Sequence, residues 1–571
     1  MRDLYRLLDE YPPILLEAIA EGWHVALPKG EPLEMVRALG DAMLAAEALE
    51  RIIAGLSAEA RDALAELVAQ GGAAPALRLT MRYGSLRRFG PARLARERPW
   101  DQPSNALEEL YYRGLIFRTY GELGDYYGDV FLIPHQLFER MPPLAVQAPE
   151  WDQPLPEPPE AIRSEGRNLV EDLFSLLVSL RQKPLEWPQP DEVANPIAPV
   201  LDRLTRQARL LGPRDPWRDA LLWRLMTRLE IVRAEGGGLQ PSLKAREWLR
   251  LTDLERARGL FLAWREDPSL DELTLGPTLR CEGGALPARA IALRRSLTAL
   301  LARFPAARWF PIEGFLAALK RYRPDFMRPE GDSGWYLREV ATGRYLDGPE
   351  SWGQVEGVVA PFLLTTALHW LGIVALGYAE GSSAPIAFMI PAEGHVLLEE
   401  ERVERIKPIA RTAPGEPLAV VDEEMTVSIS PENSLYERYQ LERFAEWRGQ
   451  DGRAIYRITE ESIWRSQEAG IRIEQIVQFL RRITRDRVPL TVLRTLEAWK
   501  GRFGRASIAR MAVLQTTDAQ TMAQIRADPE AAAMLGAPLG PTACQIPEDR
   551  LEALIARLKT MGIWPRLRLK P

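Results

Sequence analysis

The chain has 571 residues, of which 46% are hydrophobic and 27% charged, and its formal net charge at pH 7 is −6. This length exceeds what one hydrophobic core organises and predicts about three to five domains. The composition is that of a folded globular protein and excludes a largely disordered chain. The negative total charge excludes a global attraction to phosphate or anionic lipid, so contacts with nucleic acid would have to come from local basic patches.

Metal-binding and membrane-spanning patterns are both missing from the sequence. The two cysteines, Cys281 and Cys544, lie far apart, which excludes a disulfide framework and a cysteine-rich zinc site. The four histidines form no pair at ligand spacing, so we expect no metal and no cofactor. The longest apolar stretch, 358–379, is interrupted by Pro361 and His369 and predicts a buried helix followed by a strand. Without a signal-peptide pattern or membrane contact, the chain is expected to be cytoplasmic.

The N-terminal third is predicted to be helical. Apolar residues recur at every third or fourth position over 43–53 and 58–69, and Ser57 is placed to cap the second of these helices. A segment rich in proline and acidic residues, 144–164, follows this region. We expect it to be an extended, solvated linker.

A helix ended by glycine, a strand, a polar turn and a second strand are predicted in that order over 105–134. This order is typical of the end of a winged helix, where the last helix is followed by a β-hairpin. The order recurs over 366–391, where Phe-Met-Ile-Pro at 388–391 parallels Phe-Leu-Ile-Pro at 131–134, and a degenerate copy covers 220–238. The pattern favours repeated winged-helix modules over helical domains with incidental hairpins.

The pattern changes from residue 416 onwards. A hairpin is predicted over 418–429 around an acidic turn, and the end of the chain follows the order strand, helix, strand, helix, with strands at 512–515 and 543–546. The helices predicted between them are 435–447, 459–469, 473–484 and 491–501.

Catalytic motifs are missing or lack their partners. No Gly-x4-Gly-Lys-Ser/Thr phosphate loop occurs, so a P-loop ATPase is excluded, and Asp422 after Ala419-Val-Val predicts a hairpin turn rather than a Walker B acid. The loop Gly331-Asp-Ser-Gly334 is similar to the nucleophile loop of trypsin-like proteases, but helical patterns flank it. We predict a protein that is not an enzyme and has no small-molecule substrate; a hydrolase using Ser333 is the remaining alternative.

Two arginine-rich stretches are candidate nucleic-acid contacts. The first, 78–98, holds seven arginines against Glu97, and the second, 481–510, holds nine basic residues against Asp486 and Glu497. Such clusters can give salt-sensitive, sequence-tolerant binding, although each could also be a solvated basic face. The candidate DNA-contacting residues are Arg82, Arg87, Arg88, Arg93, Arg481, Arg482, Arg485, Arg487, Arg502 and Arg505.

A series of short motifs in the C-terminal third carries a family resemblance. They are the hairpin at 418–429, Leu441-Glu-Arg-Phe-Ala-Glu, Tyr456-Arg-Ile-Thr-Glu-Glu-Ser-Ile, Ala469-Gly with Ile476-Val-Gln-Phe-Leu, Pro489-Leu-Thr-Val-Leu with Glu497-Ala-Trp, and the final strand–helix unit through Pro565. This region resembles the helicase-associated domain that bacteria share with the N-terminal region of XPB-type helicases. The resemblance implies that winged-helix domains precede the region and that the region contains no catalytic residue.

The predicted fold class is mainly α with small β-wings (α+β), with tandem winged-helix modules before a C-terminal α+β helicase-associated domain. The predicted domains are an N-terminal helical or winged-helix module (1–143), the linker (144–164), a second helical or winged-helix-like module (165–270), a third winged-helix module (271–405) and the XPB-N-terminal-like domain (416–571).

The leading functional hypothesis is a helicase-associated accessory protein without a motor of its own, acting in DNA repair or transcription. Its expected partners are double-stranded or forked DNA, an XPB-type helicase served in trans, or both. The alternative hypothesis is a protein–protein scaffold or helicase docking partner without direct nucleic-acid contact, which the negative net charge and the acidic linker favour.

Overall fold

A computed structural model describes thirteen segments of the chain, which contain both helices and strands. They are residues 2–28, 31–124, 126–144, 153–186, 197–235, 237–270, 279–281, 286–327, 337–346, 351–399, 416–432, 434–502 and 511–568. The chain divides into two compact units: the first is Met1–Ala419, Ser428–Arg443 and Trp447–Ile455, and the second is Val420–Val427, Phe444–Glu446 and Tyr456–Pro571. Helices with small sheets make this the mixed α+β, multi-domain fold that the sequence predicts.

The first unit contains most of the helices. They are α1 (Leu4–Asp9), α2 (Pro13–Trp23), α3 (Pro32–Met43), α4 (Ala46–Ala54), α5 (Ala58–Ala69), α6 (Ala76–Tyr83), α7 (Pro91–Glu97), α8 (Ala106–Tyr112), α9 (His135–Phe138), α10 (Asn168–Gln182), α11 (Ile197–Gln207), α12 (Pro216–Arg228), α13 (Leu243–Arg250), α14 (Asp253–Arg265), α15 (Leu286–Leu301), α16 (Ile312–Tyr322), α17 (Glu356–Thr365), α18 (Ala367–Trp370), α19 (Ala392–Leu398) and α20 (Leu435–Leu441).

The strands that precede residue 416 form four small sheets. They are β1 (Ala73–Pro75), β2 (Phe117–Leu123), β3 (Tyr126–Leu132), β4 (Ala161–Arg163), β5 (Leu185–Glu186), β6 (Val232–Glu235), β7 (Gly238–Pro241), β8 (Leu279–Cys281), β9 (Trp309–Pro311), β10 (Leu337–Glu339), β11 (Ala375–Tyr378) and β12 (Pro385–Met389). The strand orders are β1-β3-β2, β5-β7-β6, β4-β11-β12-β9 and β10-β8.

The C-terminal part begins with a four-stranded sheet of order β13-β14-β16-β15. Its strands are β13 (Ala419–Val421), β14 (Thr426–Ile429), β15 (Glu446–Asp451) and β16 (Arg453–Arg457). The second unit contains α21 (Glu460–Glu468), α22 (Ile473–Thr484), α23 (Leu490–Lys500), β17 (Ala512–Gln515), α24 (Ala519–Ala527), α25 (Pro529–Met534), β18 (Ala543–Ile546), a 3-10 turn (Glu548–Arg550) and α26 (Leu551–Thr560). Strands β17 and β18 pair antiparallel.

One order of elements occurs three times in the first unit: a helix, a short strand, further helices and a two-stranded hairpin. The first copy starts at α5 and ends with the hairpin β2–β3, the second runs from α10 to β6–β7, and the third runs from α15 to β11–β12. In each sheet the short first strand pairs with the last strand of the hairpin. The helix and hairpin that the sequence predicts near 105–134, 220–238 and 366–391 are therefore present, with a glycine after the helix, Gly114 or Gly372, in the first and third copies.

Two helices predicted from the sequence have different bounds. The predicted helix 43–53 is interrupted, because α3 ends at Met43 and α4 begins at Ala46. The break leaves both Met43 and Leu49 buried in the same core. The predicted helix 435–447 ends at Leu441, and residues 446 and 447 belong instead to β15. Strand β15 and strand β16, whose burial alternates, form a hairpin whose turn has Gly452 at φ +64°.

The described part of the proline-rich segment before the second repeat, residues 153–163, is mostly exposed, and part of its backbone is bound to the third repeat. Strand β4 pairs antiparallel with β11, and the Leu155 N–H donates to the Trp309 carbonyl at 2.7 Å. Pro159 lies so close to Gly377 that a Cβ there would come within 2.3 Å of its ring. Residues 155–163 are therefore bound to the third repeat's sheet at both of its edges, through Leu155 at β9 and through β4 beside β11.

The long apolar stretch and its histidine lie inside the protein. Helices α17 and α18 lead into β11, as the sequence predicts, and His369 is buried with Nδ1 at 3.1 Å from the Val374 carbonyl oxygen. Burial lowers the pKa of His369, the adjacent carbonyl partly opposing it. Among the described residues, no group of side chains is arranged to hold a metal ion, and no helix combines the length and apolarity that crossing a bilayer requires.

Helix α20 is fixed to the second repeat by arginine contacts. Arg438 donates to both carboxylate oxygens of Glu171 on α10, at 2.7 and 2.8 Å, and both side chains are almost fully buried. Arg181, also on α10, lies 3.9 Å from the centre of the Tyr439 ring and donates to the Tyr439 carbonyl at 2.5 Å. A bidentate pair of this kind fixes both the position and the rotation of α20.

We predict that Glu171→Gln loosens α20, because it removes the carboxylate that accepts two hydrogen bonds from the buried Arg438. Removing one partner of a buried ion pair costs about 3 kcal/mol. Hydrogen exchange of the amides at 435–441 should accelerate accordingly. Glu432→Gln, an exposed change on the same segment, is the control, and unchanged exchange in Glu171→Gln would contradict the assignment.

Candidate nucleic-acid interface

The N-terminal arginine stretch, residues 78–98, lies on α6, α7 and the loop between them, where carboxylates from other helices contact it. Arg82 pairs with Asp62 at 2.8 Å and with Glu66, both on α5. The Arg78 Nε lies 3.4 Å from Glu66. The Tyr83 hydroxyl is 2.9 Å from a carboxylate oxygen of each of the two acids. This side of α6 therefore contacts the protein's own acids.

Arg87 forms an ion pair with a buried carboxylate. Its Nε and Nη2 donate to the two oxygens of Glu108 at 2.8 and 2.7 Å, and the Glu108 side chain has no exposed surface. The backbone N–H groups of Ser104 and Arg87 also donate to that carboxylate, each at 2.9 Å. Burial by itself raises the pKa of Glu108, but these donors outweigh it and lower the pKa to about 2.

The other arginines of this stretch are more exposed. Arg93 pairs with Glu97 at 2.7 Å, and Arg98 pairs with Asp101 at 2.8 Å. Arg88 is exposed and forms no ion pair with any residue that the structure describes. The stretch itself contains one acidic residue, whereas the fold brings several acidic residues from other parts of the chain into contact with its arginines. Its charge is therefore largely neutralised, and Arg88 is its main unpaired cation.

The C-terminal stretch starts on α22, an amphipathic helix of the second unit. Ile473, Ile476, Leu480 and Ile483 recur at intervals of three or four residues and are all buried. The opposite face includes Arg481 and Arg482 in the last turn, where positive charge complements the helix dipole. Core packing thus directs these two guanidinium groups outwards.

A tight turn separates α22 from α23. Arg485 and Asp486 both have left-handed backbones, with φ of +54° and +61°, and the Asp486 N–H donates to the Arg481 carbonyl at 2.8 Å. This bond closes the end of α22 in the manner of a Schellman cap. Pro489 then precedes α23, whose buried residues are Val492 and Leu496. The turn therefore presents a short loop between two anchored helices.

Five exposed arginines surround this turn, and we call them the arginine turn. They are Arg481, Arg482, Arg485, Arg487 and Arg494. Within the described part of the second unit none of them forms an ion pair, and Arg482 lies 5.2 Å from the Phe479 ring centre. Lys500 and Arg502 differ from them, because they pair with Glu474 at 2.6 Å and Glu460 at 2.8 Å. The structure thus groups four of the predicted site residues with Arg494.

Two predictions from the sequence fall on residues that the structure does not describe: the DNA contact of Arg505 and the loop Gly331-Asp-Ser-Gly334. Leu490, the first residue of α23, is a candidate site residue that the search for basic clusters in the sequence missed. Its side chain is 71% exposed between Arg487 and Arg494. The signal in the sequence was a leucine directly after a proline, out of step with the buried positions of its helix.

The helix before each hairpin of the three repeats lacks a free polar face. None of the residues of α8 is exposed, and Leu107, Leu110 and Tyr112 are buried. In α12 only the two terminal residues are exposed, and α18 is buried throughout. A helix that reads a DNA groove needs an accessible face with polar side chains. These helices instead form the cores of their modules.

The C-terminal region matches a known protein family. Residues 420–539 match the family described as helicase conserved C-terminal domain. The match contains the arginine turn and supports a helicase-associated protein. No curated protein matches the chain.

Glu108 provides a test of the N-terminal stretch. Because its pKa is lowered from the usual 4.5 to about 2, its carboxylate stabilises the fold above pH 4.5, and this contribution is lost as the pH falls towards about 2. We expect Glu108→Gln to lower the unfolding temperature at pH 7 and the difference from the wild type to shrink over that acidic range. Glu59→Gln, an exposed change on α5, should show no such difference, and a constant gap in Glu108→Gln would contradict the Arg87 pairing.

Proposed function

We propose that this chain is a non-catalytic accessory protein of a helicase and that it binds DNA through the arginine turn. The observation that carries the proposal is a set of five exposed guanidinium groups around one short loop inside the helicase-domain match, none of which pairs with a carboxylate among the described residues. Guanidinium groups bind phosphate oxygens bidentately, and each phosphate neutralised releases counterions. The contacts would be to the DNA backbone and therefore tolerant of base sequence.

We further propose that the three repeats are winged-helix modules and that the partner helicase is of the XPB type, in DNA repair or transcription. The support for the modules is their shared order of elements and the pairing of the first strand with the last strand of each hairpin. The XPB-type partner and the cellular process rest on the sequence resemblance of the C-terminal third. The protein would act in the cytoplasm, in trans to the motor.

A scaffold without DNA contact is the second candidate, and one observation favours it for the repeats. The helices before their hairpins are buried, and the arginines near the first hairpin are largely paired with carboxylates. Buried helices and neutralised cations suit protein packing better than groove reading. We therefore assign the repeats to protein contacts and the arginine turn to DNA.

The test is the salt dependence of binding to duplex and forked DNA. The triple variant Arg481→Gln/Arg482→Gln/Arg485→Gln should bind more weakly, and the slope of log Kd against log salt should fall by about 0.9 for each phosphate contact removed. Fluorescence anisotropy with a labelled duplex, over a series of salt concentrations, measures both quantities.

The matched control is Arg526→Gln/Arg566→Gln/Arg568→Gln, which removes three exposed arginines elsewhere in the second unit. It changes the net charge equally, so we expect its slope to remain near that of the wild type. Equal losses in both triple variants would point to diffuse electrostatics rather than a site. Undetectable DNA binding at low ionic strength, together with retention of a helicase after nuclease treatment, would favour the scaffold.

A further inference from the structure

An exposed leucine, Leu490, lies at the centre of the arginine turn. The role that we infer for it rests on the proposed function and specifies the DNA ligand. We propose that Leu490 is a wedge that packs against the terminal base pair where duplex DNA meets unpaired strands, while the surrounding arginines hold the phosphates. The ligand class is therefore a junction between double-stranded and single-stranded DNA rather than continuous duplex.

The first step of the argument is the exposure of Leu490. Its side chain is 71% exposed, whereas Val492 and Leu496 on the same helix have no exposed surface. Those two residues anchor α23, so Leu490 is not required for the core of the second unit. An exposed leucine on an anchored helix is held in a fixed position in water, which suits contact with a ligand.

The second step is the charge around it. Arg487 lies three residues before Leu490, and Arg494 lies four residues after it on the same face of α23. Around the turn, five exposed arginines face one acid, Asp486. An apolar protein partner would have to take unpaired guanidinium groups out of water, which is unfavourable. A phosphate backbone would instead neutralise them and bring base surfaces close to the leucine.

The third step decides which DNA structure fits. Apolar side chains that enter DNA do so between base steps, and separating a stacked step costs a few kcal/mol. The cost is least where a base is already unpaired. Within residues 481–494, all of which the structure describes, Leu490 is the only exposed large hydrophobic side chain. A single short aliphatic side chain therefore fits an exposed terminal pair better than an intact stack. This favours forked DNA over continuous duplex.

The experiment compares Leu490→Ala with the wild type on forked DNA that carries 2-aminopurine at the junction and on a duplex of the same sequence. Wild-type protein should increase the 2-aminopurine fluorescence and should bind the fork more tightly than the duplex. Leu490→Ala should remove the fluorescence change and reduce the fork-over-duplex ratio by about tenfold, because the burial of the leucine side chain against the terminal base pair is lost. The salt slope should stay the same, since the arginines are intact.

Two matched variants complete the test. Leu490→Met keeps an apolar side chain of similar size and should retain the wild-type fluorescence change. Leu539→Ala removes a leucine that is 51% exposed elsewhere in the second unit, and it should change neither quantity. Since Leu490 is exposed, all three variants should unfold at the wild-type temperature.

The possible failures are distinguishable. If Leu490→Ala binds forks as the wild type does and the 2-aminopurine signal is unchanged, the wedge is overturned and the DNA-binding function stands. If the wild type binds no DNA, both the wedge and the proposed function are overturned. If Leu490→Ala loses a protein partner while fork binding is unaffected, Leu490 belongs to a protein contact and the wedge is again wrong.

Discussion

A guanidinium group stays charged at every physiological pH, so an arginine that leaves water must be met by carboxylates or carbonyl oxygens. Arg218 has no exposed surface and lies 2.5 Å from Asp172 and 3.3 Å from Glu165. Arg294 is equally buried and donates to the carbonyls of Trp264 and Asp267 at 2.9 and 2.7 Å. Helices of the first unit are held together by these contacts, and α20 joins them through the same chemistry. Much of the arginine in this chain is therefore structural.

The same constraint separates the two arginine-rich stretches. In the first, acids from α5 and α8 surround the guanidinium groups, so phosphate would have to displace carboxylates that are already in place. In the second, the buried residues of α22 and α23 include no charged side chain, and the arginines face water. Free cations can exchange small counterions for phosphate, whereas paired cations gain little by it. This difference in pairing, rather than the number of arginines, is why the proposed DNA contact lies in the C-terminal region.

The shared order of elements in the three repeats determines which of their surfaces are available for contacts. A helix that is largely buried closes the core of its own module and leaves mainly the hairpin and the module's outer helices for contacts. In the first copy the hairpin exposes Tyr120 and Tyr127, which pack edge-on against each other with ring centres 5.2 Å apart. Aromatic side chains of this kind are frequent in protein interfaces.

The sequence by itself determined the helices and strands whose geometry depends on residues that are neighbours in the chain. Helix α22 was predicted at 473–484 with the bounds that it has, because its apolar period is unbroken, and β17 and β18 were predicted from short apolar runs. Only the tertiary structure decided which arginines are neutralised, since Glu66 and Glu108 lie far from their partners in the chain. The hairpin β15–β16 was missed because the apolar residues before it mimic a helical period. Periodicity reports local geometry, whereas the pairing of charges depends on which distant elements the core brings together.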